Sequence, residues 1–93
     1  MILRDGNRLT VQGAITIDNV VAVTEQGFAL FDRDDLVIDL AQVTEVDSSA
    51  VSMLLEWQRK ARSHNQQLYF TNLPNTLKSL AQLYGVSELI PLA

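Results

Sequence analysis

The chain has 93 residues, of which 47% are apolar and 19% are charged, and its net charge is −4. This length suits one small domain over residues 1–93, and the apolar fraction is too high for a disordered segment. The acidic balance leaves no basic patch for binding the phosphate backbone of a nucleic acid. Because the chain has no cysteine, disulfides and thiolate metal sites are excluded as well.

The sequence also indicates where the protein resides. It has no run of roughly 18–20 apolar residues, which a membrane-spanning helix would need. The N-terminus is charged from its fourth residue and lacks the apolar centre of a signal peptide. We therefore expect a cytoplasmic domain.

The first residues predict a β-hairpin. Asp5-Gly6-Asn7 is strong turn chemistry between two short β-like runs, residues 2–4 and 8–12. Gly13 is expected to end the second run.

A helix and a buried strand are predicted next. Thr16 and Asp18 offer side-chain oxygens that cap a helix beginning near Val20. Residues 36–40 are short, β-branched and apolar apart from Asp39, which is typical of a strand buried on both faces of a sheet. A short loop is expected to follow.

The clearest helix spans residues 48–63, and a strand at residues 68–71 and a third helix with Pro74 in its first turn complete the pattern. Gly85 stands where a left-handed residue would end that third helix, which carries Tyr84 on its apolar side. At 100° per residue, one face of the long helix is apolar: Ala50, Val51, Leu54, Trp57, Gln58 and Ala61. The order β-β-α-β-α-β-α predicts an α/β domain with helices packed on a mixed sheet.

Enzymatic and metal chemistry have little support in the sequence. His64 is the only histidine and ends a predicted helix, where an imidazole usually contacts the last carbonyls or water. The acidic residues Asp32, Asp34 and Asp35 lack the spacing of a calcium loop and have Arg33 among them. We expect no catalytic residue, no metal and no cofactor.

The informative segment is residues 43–51, which joins a strand to a helix N-terminus. In one interpretation Asp47 or one of the serines, Ser48 and Ser49, simply caps the helix. In the other, an exposed hydroxyl beside the positive end of the helix dipole accepts a phosphate and switches a binding face.

A ridge on the same helix extends this segment. Ser49, Met53, Glu56 and Lys60 follow i, i+3 and i+4 spacing beside the apolar face, and Ser52 flanks Met53. Methionine is common on adaptable binding surfaces, although Met53 can equally border the core.

The run Leu36-Val-Ile-Asp-Leu40, followed by Val46-Asp-Ser-Ser-Ala-Val51 at a helix start, resembles the STAS domain family. That family includes anti-sigma factor antagonists and the small STAS subunit of Mla-type phospholipid ABC transporters. In the antagonists, the second hydroxyl of the motif is the phosphoacceptor for a partner kinase, which corresponds to Ser49. In the transporter subunits, the first hydroxyl contacts the ATPase subunit, which corresponds to Ser48. The family's usual glycine after these hydroxyls is Ala50 here.

The C-terminal part, Leu80-Ala-Gln-Leu-Tyr-Gly-Val86 followed by Leu89-Ile-Pro-Leu92, is more similar to the transporter subunit, because the antagonists generally continue further. The resemblance therefore implies a non-catalytic subunit that binds the ATPase of an inner-membrane phospholipid transporter and, through it, the membrane permease. The alternative it leaves open is an anti-sigma factor antagonist switched by a kinase at Ser49. The expected partner-binding residues are Asp47, Ser48, Ser49, Ser52, Met53 and Glu56.

Overall fold

The computed structural model describes residues 1–32 and 34–93. The elements in chain order are β1 (Ile2–Asp5), β2 (Arg8–Ile15), α1 (Val20–Leu30), β3 (Leu36–Val46), α2 (Ser48–Ser63), β4 (Leu68–Thr71) and α3 (Asn75–Leu83), then a short 3-10 helix (Ser87–Leu89). The α/β class, the mixed sheet and the predicted order of elements are confirmed.

The sheet has the strand order β1-β2-β3-β4, with β1 antiparallel to β2 and the other neighbours parallel. The three helices α1, α2 and α3 pack on one face of the sheet. Alternate residues of the central strands are buried there in a single core with residues of these helices. The opposite face carries the half-buried Val37 and Asp39. The prediction that β3 is buried on both faces is therefore wrong. Asp39 lies on the open face of the sheet, where Arg8 and Asn72 donate hydrogen bonds to its carboxylate.

Gly13 does not end β2. It adopts a left-handed backbone with φ of 89°, and the pairing with β3 shifts register between Gly13 and Ala14. This irregularity lets β2 continue to Ile15, because glycine takes a positive φ without steric cost. β3 consequently stays paired as far as Val46 instead of ending at Leu40. The expected loop before α2 is absent, and the strand leads directly into the helix cap.

The start of α1 also differs from the prediction. Neither Thr16 nor Asp18 caps it through a side chain; the N-cap residue is Asn19, which makes no capping hydrogen bond. The Asn19 side chain instead accepts from the Thr16 amide at 2.9 Å and donates to the Ala14 carbonyl at 2.8 Å. Asn19 thus fixes the turn that joins β2 to α1.

The core is centred on α2, whose predicted apolar face is buried as expected. Trp57 is fully buried, and its indole Nε1 donates to the Thr24 carbonyl of α1 at 3.0 Å. A Cβ added at Gly27 would meet the Trp57 ring at 2.5 Å, so α1 can approach α2 this closely only with glycine there. None of the helices in the described residues is long and apolar enough to cross a bilayer.

The last elements close one edge of the sheet. Gly85 has φ of 69° just beyond the end of α3, as predicted, whereas Pro74, predicted in the first turn, is the N-cap residue before it. Leu92 forms a parallel bridge with Phe70 of β4. Tyr84, expected on the apolar side of α3, is instead 53% exposed because it lies at the C-cap, after the last helical turn.

Candidate partner-binding site at the start of the second helix

Asp47 is the N-cap residue of α2 and organises the site. Its Oδ1 accepts hydrogen bonds from the Ser49 amide at 2.9 Å and from the Ser49 hydroxyl. Of the three capping residues that the sequence left open, the structure therefore selects Asp47. The Ser49 hydroxyl is half-buried and its proton is directed at a carboxylate.

The second oxygen of Asp47 reaches across to another element. Asp47 Oδ2 accepts from the backbone amide of Ile17 at 2.8 Å, in the turn before α1. The hydrogen bonds from the Ser49 side chain and then from the Ile17 amide lower the pKa of Asp47 below its usual range. Asp47 is therefore an ionised anchor that joins the starts of α1 and α2.

Three of the predicted site residues are exposed on the surface of α2. Ser48 and Ser52 are exposed serines at the beginning of the helix. Glu56 is exposed too, and it forms an ion pair with Arg59 at 2.7 Å. The start of α2 thus presents small hydroxyl side chains that another surface can approach closely.

Met53, unlike Ser48, Ser52 and Glu56, is buried. Its side chain is 1% exposed and belongs to the hydrophobic core, so of the two alternatives that the sequence left open, the structure supports the one in which Met53 borders the core. Met53 lies on α2 between Ala50 and Trp57 along the helix, and its side chain is part of the shared hydrophobic core. It reaches the surface only as part of the floor of a groove.

This groove lies between α1 and α2 and has a volume of about 390 Å³; we call it the α1–α2 groove. The two helices run in the same direction, because Ile17 contacts Asp47 at their starts and Phe28 lies against Lys60 further along. Its lining residues come from both helices and the preceding turn: Ile17, Val20, Val21, Thr24, Glu25, Phe28, Ser49, Ser52, Met53 and Glu56.

A second groove, of about 440 Å³, lies on the other side of the α2 serines and extends to the end of α3. It shares Ile17, Ser49 and Ser52 with the first groove and is completed by Tyr84 among other residues. The serines therefore form a low ridge between two largely apolar depressions. Such a surface differs from an ordinary solvated helix N-terminus.

The sequence analysis missed the apolar residues that surround the serines. Ile17 is 73% exposed and Val21 is 68% exposed, and both line the α1–α2 groove. With Tyr84 they give the surface its apolar character. No periodicity in the sequence marks these residues as exposed, because adjacent apolar residues of a helix can share its buried face, as Ala50 and Val51 do in α2.

The other predicted ionisable groups lie elsewhere. His64 is exposed at the C-cap of α2, at the opposite end of the helix from Asp47. Asp32 forms an ion pair with Arg4 at 3.0 Å, whereas Arg33 lies outside the described residues. Within residues 1–32 and 34–93, no group of three or more His, Cys, Asp or Glu side chains is placed to hold a metal ion.

Residues 2–91, almost the whole chain, match the family described as "Mlab, STAS domain". The chain belongs to the STAS domain family. The resemblance carried by residues 36–40 and 46–51 is thereby confirmed. Comparison with curated proteins by sequence finds no significant match.

Solved structures agree with this STAS fold. A chain of the Acinetobacter MlaFEDB complex in an ATP-bound conformation superposes with a TM-score of 0.80 at 24% identity, over 95% of both chains. The anti-sigma factor antagonist SpoIIAA, in its unphosphorylated form, has a TM-score of 0.74 at 15% identity, over all of this chain and 86% of its own. A sulfate transporter family protein from Wolinella succinogenes has a TM-score of 0.69 at 13% identity, over 90% of this chain and 70% of that chain.

Proposed function

We propose that this STAS domain is a non-catalytic subunit of an Mla-type phospholipid ABC transporter. It binds the cytoplasmic ATPase subunit, supports its assembly or activity, and is held at the inner membrane through the ATPase and the permease. The family match supports this proposal, as does the similarity of its fold to a chain of an MlaFEDB complex.

The observation that carries the proposal is the surface at the start of α2. Exposed Ser48 and Ser52 form a ridge of small side chains, and the exposed Ile17, Val21 and Tyr84 lie around it. Apolar and aromatic residues around a closely approachable centre are typical of protein–protein interfaces. Desolvation of such a surface by a partner supplies binding free energy without any catalytic group.

Ser48→Glu tests this surface. Ser48 is the first residue of α2, where an acidic side chain interacts favourably with the helix dipole, so the variant should fold as well as the wild type. In the interface, however, the new charge would be buried without a partner, and affinity should fall by at least about thirtyfold, or 2 kcal/mol. The measurement is titration of the purified Mla-type ATPase subunit of the same organism with each variant.

Ser79→Glu is the matched control, because Ser79 is an exposed serine of α3 and lines neither groove. We expect it to bind as the wild type does. Unchanged binding by a folded Ser48→Glu protein would exclude this interface, and no binding by the wild type would refute the transporter proposal itself.

A second candidate function rests on Ser49. Its half-buried hydroxyl donates to the Asp47 carboxylate at the start of α2, where the positive end of the helix dipole favours an added phosphate. This arrangement also suits an anti-sigma factor antagonist that a partner kinase switches. Incubation with such a kinase and ATP distinguishes the two functions: stoichiometric phosphorylation of Ser49, lost in Ser49→Ala, supports the antagonist and would replace the transporter proposal.

A further inference from the structure

The two acidic residues that line the α1–α2 groove differ in whether they have an ion-pair partner. Among the described residues that line it, the ionisable ones are Glu25 on α1 and Glu56 on α2, and both are acidic. Glu56 is already paired with Arg59 at 2.7 Å. Glu25 is exposed and forms no ion pair with a described residue. One wall of the groove therefore has a negative charge that a partner can neutralise.

The apolar and acidic parts of the groove follow one another along the helices. Val21 and Ser52 lie near the start, where the two helices begin together. Glu25 comes one turn after Val21 on α1, and Glu56 comes one turn after Ser52 on α2, at i+4 in both cases. A partner segment that follows the groove thus passes Val21 first, Glu25 about 6 Å later, and then Phe28.

The walls of the groove also restrict the backbone of the occupant. Both walls are α-helices, whose amides and carbonyls are bonded within their own helix apart from the ends. An extended peptide gains no main-chain hydrogen bonds there, unlike a peptide that is added to a sheet edge. A helix carries its own hydrogen bonds and needs only side-chain anchors at i, i+3 or i+4 spacing, so it suits this groove.

We infer that the α1–α2 groove binds an amphipathic helix of the ATPase subunit, with an apolar anchor packed between Val21 and Ser52 and a Lys or Arg one turn later beside Glu25. This inference rests on the proposed function and names the partner element for the same site.

Glu25 variants test the charge part of the inference. Titrations of the purified ATPase subunit would compare the wild type with Glu25→Gln and Glu25→Lys. We expect affinity to fall about threefold for Glu25→Gln and about tenfold for Glu25→Lys, with a weaker salt dependence in both.

Asp5→Lys is the control. It changes the net charge as Glu25→Lys does, but Asp5 lies in the β1–β2 hairpin beside the start of β3, whereas α2 begins after the end of that strand. We expect its affinity to stay within about twofold of wild type, because Asp5 lines neither groove. Equal affinity of all variants would overturn the inference, yet wild-type binding would leave the proposed function standing.

A peptide experiment tests the groove without the ATPase. The probes are two stapled helical peptides of about three turns, identical except that the residue one turn after a leucine anchor is Lys in one and Glu in the other. We expect the Lys peptide to shift the amide NMR signals of Val21, Glu25 and Ser52, and the Glu peptide to bind at least about threefold more weakly.

The peptide result separates failure of the inference from failure of the proposed function. If the wild type does not bind the ATPase but the Lys peptide binds the groove selectively, the groove still binds an amphipathic helix with a basic residue. That helix then belongs to a protein other than the ATPase. Absence of binding by both peptides, or equal binding of both, would overturn the inference whatever the ATPase does.

Discussion

Asp47 caps α2 and at the same time holds the amide of Ile17 at 2.8 Å. A single carboxylate therefore sets both the start of the helix that carries the serines and the position of the most exposed apolar residue beside them. The serine ridge and its apolar border form one unit for this reason. A change at Asp47 should alter both.

Asp47→Ala should lower the melting temperature by about 4–8 °C, the usual effect of one lost helix cap in a domain of this length. Asp47→Asn is the informative comparison, because its side-chain oxygen can still cap α2 while its NH₂ cannot accept from Ile17. We expect Asp47→Asn to be less destabilised than Asp47→Ala but to exchange the Ile17 amide faster. Thermal unfolding and hydrogen exchange measure the two effects, and equal exchange at Ile17 in wild type and Asp47→Asn would contradict this role.

The apolar border predicts a difference between two exposed surfaces. Ile17→Glu and Tyr84→Glu should each weaken binding of the ATPase subunit by at least about tenfold, or 1.4 kcal/mol, because they add a charge to a desolvated contact. Leu3→Glu is the control, since Leu3 is 48% exposed but lies in β1, away from both grooves. Melting temperatures of all three should stay close to wild type. A loss of affinity in Leu3→Glu as large as in Ile17→Glu would contradict the location of the site.

The open face of the sheet predicts a pH dependence of stability. The hydrogen bond from Asn72, followed by those from the Ala41 amide and Arg8, lowers the pKa of Asp39. Because the folded-state pKa is below the unfolded value of about 3.9, Asp39 stabilises the fold above that pH. This contribution is lost as the pH falls through the folded-state pKa.

Asn72→Gly tests the origin of this effect. Asn72 has φ of 57°, so glycine keeps the left-handed backbone while removing the donor to Asp39. We expect the Asp39 pKa to rise in the variant and the loss of stability in acid to begin at a higher pH. NMR titration of the Asp39 carboxyl and urea unfolding between about pH 2.5 and 7 would show this. An unchanged Asp39 titration would rule out Asn72 as the main cause.

Gly27→Ala should destabilise the domain although alanine favours helices. Its Cβ would meet the buried Trp57 ring at 2.5 Å, and overpacking of this kind costs about 1–3 kcal/mol. At an open helix position the same substitution gains about 1 kcal/mol. Urea unfolding of Gly27→Ala, Trp57→Phe and the double variant gives a double-mutant cycle. We expect Gly27→Ala to lower the free energy of unfolding by less when Trp57 is replaced by phenylalanine. A stabilised Gly27→Ala protein would show that the two helices are not packed this closely.

Much of the architecture could be predicted because local patterns agree with the tertiary fold. The apolar face of α2 has the helical period and is buried as predicted, and Gly85 takes the positive φ that its place after α3 requires. The capping motif at Asp47 and Ser49 is also local, since its atoms lie within one helical turn. Such local features could be predicted together with the family, although the sequence left Asp47, Ser48 and Ser49 open as capping residues and the structure selected Asp47.

Long-range packing decided the rest. The burial of Met53 depends on the core that α2 shares with the other elements, and the pairing of β3 as far as Val46 depends on a β2 that passes through Gly13. The exposure of Ile17 and Tyr84 follows from where three separate helices begin and end around the serines. No periodicity within one segment reports these contacts, because they join residues that are distant in the chain. The sequence alone therefore determined the fold class and the motif, and the tertiary structure decided which surface surrounds that motif.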